Sequence, residues 1–182
     1  SRINLTEKNV DTIDTPSHLK SEGMFVDEIL DEPLAMVATT EEQGWRKRFG
    51  SPFNKQEAQV CDQLVARLIQ DYGLDPGQVG IITPYRGQRN VIRDTLGNDY
   101  AVDVETVDGF QGRERDVIIY SVVGTDPGSL SFAGDQNRFN VAATRPKSKL
   151  VVVGNINRIG TKTKRNNILR SFIKYASDKN AV

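Results

Sequence analysis

Cysteine and histidine are almost missing from this sequence: Cys61 and His18 are the single members of their types in 182 residues. A disulfide framework and a Cys/His zinc site are thereby excluded. No run of about 18 apolar residues occurs, which excludes a membrane-spanning helix. The first residues are polar and lack the apolar core of a secretory leader, so an intracellular protein is expected, cytoplasmic or nuclear, and cytoplasmic if prokaryotic. Three catalytic signatures are also absent. There is no G-x-x-x-x-G-K-[ST] phosphate loop, no G-x-S-x-G nucleophile turn and no carboxylate dyad in a plausible pocket. The stretch "VDEILDE" (26–32) is acidic but follows no strand beyond Phe25 and Val26, and reads as a solvated run rather than a Mg²⁺ holder. No set of side chains here completes a catalytic cycle alone.

What the sequence does contain suits one globular domain. Hydrophobic content of 37% against 26% charged residues leaves enough apolar surface for a core. The formal net charge of zero conceals a strong polarity. Residues 1–45 carry Glu7, Asp11, Asp14, Glu22, Asp27, Glu28, Asp31, Glu32, Glu41 and Glu42 against Arg2, Lys8 and Lys20. Residues 136–182 carry one acid, Asp178, among eleven Lys and Arg. Such a basic half points to a phosphate-rich partner.

Residues 1–33 show no sustained periodicity and read as an extended acidic arm, with the domain proper spanning 34–182. "PLAMVAT" (33–39) reads as the first core strand. Asn54, with Glu57 three residues on, is a capping-box signature. Ala58, Cys61, Leu64, Val65, Leu68 and Ile69 follow as an apolar stripe at helical spacing, ended by Gly73; Cys61 is a core residue on that stripe. "DPGQ" (75–78) is a turn into the apolar strand "VGIITPY" (79–85), and a helix over 87–96 stops at Gly97. "AVDVETV" (101–107), "DVIIYSVV" (116–123) and "KLVVVGN" (149–155) read as further strands; 137–144 and 164–176 read as helices. Wholly apolar strands alternating with amphipathic helices predict a three-layer α/β fold around a parallel sheet.

Ligands of such sheets gather at the carboxyl ends of strands. Three clusters of hydroxyls, amides and arginines are expected there: "TPYRGQ" (83–88), "ETVDGFQGRERD" (105–116) and "RFNVAATRPKSK" (138–149). They suit the gripping of phosphates.

These stretches carry a resemblance. "VGIITPYRGQ", "VETVDGFQGRERDVIIYSVV" and "NRFNVAATRPKSKLVVVGN" resemble motifs IV, V and VI of superfamily 1 helicases, in that order. The branch is that of the up-frameshift, senataxin-type and replication helicase/nuclease proteins. "SPFNKQEAQVCDQLVARLI" is similar to the helix before motif IV in the same branch. The resemblance implies the second RecA-like domain of such a helicase, a P-loop NTPase fold without its own P-loop. It implies ATP and Mg²⁺ as cofactors, with the Mg²⁺ ligands on a first RecA-like domain of the same parent chain, and single-stranded DNA or RNA as partner. Arg145 matches the transition-state arginine, and no metal ligand is implied on this chain. Gln111, Gly112, Arg113 and Glu114 are implied to face the nucleotide, with Glu114 accepting from a ribose hydroxyl. Thr83, Pro84 and Tyr85 are implied beside the strand, as are Thr106, Val107 and Asp108, with Arg138 and Asn140 positioning the motif VI loop. Pro146 departs from the family pattern, which has alanine after the arginine, and disfavours helix at Arg145.

Two readings stay open on the sequence alone: a motor domain of an ATP-dependent helicase, or a catalytically silent docking module for nucleic acid or protein. A G-x-x-x-x-G-K-[ST] upstream of Ser1 in a longer parent would separate them.

Overall fold

The computed structural model describes residues 33–46 and 50–182, and the side chains from 50 onward together with those of 33–44. The arm expected over 1–33 and the run 26–32 therefore lie outside the described residues, apart from Pro33. Five parallel strands form the sheet: β1 (Leu34–Ala38), β4 (Val79–Thr83), β5 (Asp103–Thr106), β6 (Arg115–Ser121) and β7 (Pro146–Gly154). Their spatial order is β1-β7-β6-β4-β5, and every neighbouring pair runs parallel. A small antiparallel hairpin, β2 (Gly44–Arg46) with β3 (Ser51–Phe53), stands apart from it.

The helices are α1 (Lys55–Ala66), α2 (Arg86–Leu96), α3 (Pro127–Ala133), α4 (Gln136–Ala143), α5 (Ile156–Lys162) and α6 (Ile168–Asp178). Two adjacent residues of β6 show how they divide between the faces, because successive side chains on a strand point opposite ways. Tyr120 packs edge-on against Phe139 of α4 and donates its hydroxyl to the carbonyl of Ala133 in α3 at 2.9 Å. Phe139 in turn meets Phe172 of α6. Ser121 points the other way and donates to Glu57 of α1 at 2.7 Å. The result is a parallel sheet with helices on both faces, the α/β fold expected.

Of the stripe expected on α1, Ala58, Cys61, Leu64, Val65 and Leu68 are all at most 3% exposed, while Ile69 is only partly buried. The last turn of α1 widens into a π turn over Arg67–Asp71 before Gly73. Elements not foreseen are β2, β3, α3 and α5, and the expected tail helix starts later, at Ile168, because the Asn167 side chain caps the N–H of Leu169.

The capping box at Asn54 is only half made. Asn54 Oδ1 accepts from the N–H of Glu57 at 3.0 Å, as expected. The Glu57 carboxylate does not return the bond. It turns inward to accept from Ser121 Oγ and from the N–H of Val123, at 2.7 and 2.9 Å. Gln88 of α2 takes over the vacated role, accepting from the Asn54 N–H at 2.7 Å and donating to the Asn54 carbonyl and to Ser121 Oγ. Four fully or nearly buried polar side chains thus tie α1, α2 and β6 together. The bond to Val123 also holds that β-branched residue at φ +68, a conformation that costs roughly 1–3 kcal/mol.

Burial pushes the Glu57 carboxyl up from an ordinary 4.5 to about 8, outweighing the hydrogen bonds that pull it down. One of its oxygens has no partner, which a neutral carboxyl tolerates far better than an ionised one. Because the folded value is raised, this contribution to stability is fully present below about pH 4.5 and is lost as pH rises through about 8. Glu57→Gln keeps an acceptor for Ser121 and Val123 but cannot ionise. Urea unfolding should therefore show the wild type losing a few kcal/mol relative to the variant across that pH range; parallel pH curves would contradict this.

Candidate functional site

Motif V is where the two edges of the sheet meet. The connection from β5 to β6 must cross over β4, and residues 107–114 do so without a helix. The crossing is a chain of tight turns, with Phe110 N–H on the Thr106 carbonyl and Arg113 N–H on that of Phe110, at 3.0 and 3.1 Å. Phe110 is fully buried and anchors it. Its ring lies against β4 at Gly80, where an added Cβ would sit 2.7 Å from Phe110 Cζ. Gly80 is paired in register with Ile118, on the Tyr120 face, so one aromatic side chain fills the space a crossover helix would otherwise cover. Gly112, at φ +76, then turns the chain toward β6.

The three polar clusters are consequently not all at carboxyl ends, as the sequence suggested. Thr83 and Thr106 do close β4 and β5 at their carboxyl ends, and Pro84, Tyr85, Val107 and Asp108 follow them. Glu114 and Arg145 instead precede the amino ends of β6 and β7. The reason is chain direction: motif VI enters its strand rather than leaving one.

At the carboxyl edge, Thr83, Pro84 and Val107 are buried. The Thr83 carbonyl accepts from Val107 N–H at 3.2 Å, so these residues lock motif IV to motif V. Tyr85, Thr106 and Asp108 remain accessible. Tyr85 stacks on Phe132 of α3 at 5.2 Å and donates to the Ser129 carbonyl at 2.6 Å. Burial, reinforced by the charge of Asp126, raises its hydroxyl well above the ordinary range, so it stays a donor. Arg138 lies over the Phe132 ring, 3.6 Å from its centroid, and donates to the Phe132 carbonyl. Of the motif IV arginines, Arg89 and Arg93 pair with Glu105 of β5 at 3.5 and 2.6 Å rather than facing a ligand.

At the amino edge, Arg113 and Arg115 both pair with Asp103, the first residue of β5, at 3.2 and 2.6 Å. Gln111, Gly112 and Glu114 are exposed. Arg115 N–H donates to the Arg145 carbonyl at 3.1 Å, which brings the end of motif V and the end of motif VI side by side. α4 stops at Ala143, so Pro146 meets no helix; it opens β7 instead, opposite Arg115. Arg145 is half-buried. Its Nε donates to the Val141 carbonyl and its Nη2 to Thr144 Oγ1, both at 3.1 Å, leaving the remaining N–H groups of the fork for a ligand. It lines a cleft of about 320 Å³ with Asn137, Asn140, Val141 and Thr144. Asn140, 6% exposed, has a side-chain oxygen with no partner. Among the described residues, no group of three or more His, Cys, Asp and Glu could hold a metal ion.

Three participants escaped the sequence reading. α3, which supports Tyr85, had a start signal in Asp126-Pro127, an N-cap followed by proline in the first turn. Asp103 and Phe110 carried no signal, since a strand acid and a loop aromatic become meaningful only once the crossover is seen.

Fold and sequence motifs together define a RecA-like α/β domain, with motif residues at both ends of the strands of one sheet. Comparison with known proteins agrees: a family described as an AAA domain matches residues 5–157, and the chain belongs to that family, as a superfamily 1 helicase domain of the Upf1/Sen1 type. The match begins inside the stretch read as an arm. The chain is 39% identical to the ATP-dependent helicase NAM7 of Saccharomyces cerevisiae over 128 residues, 65% of this chain and 13% of that protein. It is 37% identical to the ATP-dependent helicase upf1 of Schizosaccharomyces pombe over 134 residues, 69% and 14% of the two chains. Helicase sen1 of the same yeast is 34% identical over 120 residues, 61% and 7%. The chain therefore spans a small fraction of these relatives.

If Phe110 is the anchor of the crossing, Phe110→Ala should cost about 3–5 kcal/mol in urea unfolding. Phe110→Leu, which keeps most of the contact with Gly80, should cost clearly less.

Proposed function

We propose that this chain is the second motor domain of an ATP-dependent superfamily 1 helicase, contributing an arginine finger, half of an ATP cleft and half of a single-strand channel. The observation that carries this reading is the cleft at the amino edge. Arg145 stands there with guanidinium N–H groups to spare, beside an Asn140 oxygen that is buried without a partner. A domain used only for docking has no need of that arrangement.

These donors and acceptors fit a nucleotide. Arg145 would pair with phosphate oxygens, its planar and permanently charged fork being suited to bidentate contact. Gln111, Gly112 and Glu114 would face the nucleotide from the neighbouring loop, with Glu114 accepting from a ribose hydroxyl. Arg113, tied to Asp103, would steady that loop. ATP supplies the phosphoryl group whose transfer drives the motor. The P-loop and the acids that hold Mg²⁺ would come from a first RecA-like domain packed against the amino edge. Tyr85, Thr106 and Asp108 would meet the strand at the other edge. Thr83, Pro84 and Val107 would act by holding those loops, since their side chains are covered.

A finger stabilises charge on the transferring phosphoryl group more than it stabilises bound ATP. In the protein together with its P-loop-bearing domain, Arg145→Lys should lower turnover by about 10³-fold or more, with a far smaller loss of ATP affinity. Glu114→Ala should instead raise KM for ATP more than it lowers kcat. Near-normal turnover in Arg145→Lys would remove Arg145 from this role.

A further inference from the structure

Neither edge uses the cations that follow α5, in the loop before α6 and on α6 itself. From Gln136 to Ser177 the chain contains no Asp or Glu. Several other arginines find carboxylates: Arg89 and Arg93 share Glu105, Arg113 and Arg115 share Asp103, and Arg158, inside that span, reaches Glu42. Among the described residues, Lys164, Arg165, Arg170 and Lys174 have no such partner. Like charges left together raise the energy of the folded state unless something neutralises them.

These four cations are gathered by shape. Arg165, Arg170 and Lys174 line a groove of about 570 Å³ between α5 and α6, with Ile156 and Ile173. Arg170 is held in place by donating to the Thr163 carbonyl at 3.1 Å. Lys174 lies one helical turn further along the same face of α6. Lys164 and Lys162 line a second cleft of about 350 Å³ with Pro127 and Ser131 of α3 and with Asp135, an acid already paired to Arg138. The same α3 carries Phe132, stacked on Tyr85 and 41% exposed. α3 therefore carries both the ring stacked on Tyr85 and part of the lining of the Lys164 cleft, and Lys164 is followed directly by Arg165 of the α5–α6 groove.

We propose that this groove is a second contact for the sugar–phosphate backbone of a single strand, extending the path that begins at Tyr85 and Thr106. The proposal rests on reading the carboxyl edge as strand-facing. Nucleic acid suits these cations better than an acidic peptide because α3, which lines the Lys164 cleft, also carries one ring of a stacked aromatic pair, and base stacking beside a cationic track is how single strands are held without regard to sequence.

The test compares labelled oligothymidylate and oligouridylate of about 6 and about 20 nucleotides, bound across a salt series. Lys164, Arg165 and Lys174 are exposed, so Lys164→Gln, Arg165→Gln and Lys174→Gln combined should leave the fold intact. The triple variant should lower the log–log salt slope for the long strand by about 2, at roughly 0.7 per lost phosphate contact. Binding of the short strand should be unchanged, whereas Tyr85→Ala should weaken both lengths. An unchanged slope and affinity for the long strand would overturn the groove while leaving the carboxyl edge standing. Loss of long-strand binding in the triple variant, with Tyr85→Ala harmless, would uphold the groove and remove the carboxyl edge. If the triple variant lost only binding to polyglutamate, the groove would be a peptide site and the proposal wrong.

Discussion

The ring of Phe110 lies against β4 at the one residue, Gly80, that has no side chain to obstruct it. This contact lets a short run of turns, rather than a helix, carry the chain across the sheet from β5 to β6. Because the crossing is short and its middle is buried, Thr106 at one edge and Glu114 at the other belong to a single anchored loop. Asp103 fixes the far end by pairing with both Arg113 and Arg115, and the Arg115 N–H joins that end to Arg145. If the two ends of the loop serve the two ligands proposed above, this anchored loop would be a stiff connection between them.

The carboxyl edge has its own anchor in the buried network of Asn54, Gln88, Ser121 and Glu57. Burying a carboxyl is expensive, and the cost is contained by keeping it protonated near neutral pH and by giving one oxygen two donors. In return the network holds Val123 in its left-handed conformation, which directs the chain into α3. Ser129 and Phe132 of α3 then fix Tyr85 from two sides. Gln43 reaches the same helix start, accepting from Ser129 Oγ and from the Thr125 N–H. The accessible ring of Tyr85 is thus set, through Val123 and α3, by a carboxyl buried in the Glu57 network.

The long apolar strands and α1 were legible in the sequence because each has a strong period and clear stops: the stripe through Cys61 and Leu64 is the buried one, and Gly73 and Gly97 end their helices. The motifs were legible too, and with them the family. What local pattern could not supply was partner choice. Asn54 and Glu57 match a capping box, and nothing within the helix says that Gln88, more than thirty residues on, will displace the glutamate. The hairpin strands are too short to show a period. α5 and α3 are brief and sparsely apolar, so only their caps, Asn155 and Asp126, announce them. The assignment of all three polar clusters to carboxyl ends failed because direction of entry into a strand is a property of the sheet, not of the segment.

A division of labour underlies the whole account: this domain contributes the arginine and the loop contacts, and another contributes the phosphate-cradling loop and the metal. The most direct measurement is ATP turnover by the purified chain alone, with and without saturating single-stranded nucleic acid. The account predicts no turnover above the buffer rate under either condition. Single-strand-stimulated hydrolysis by the chain alone would contradict it.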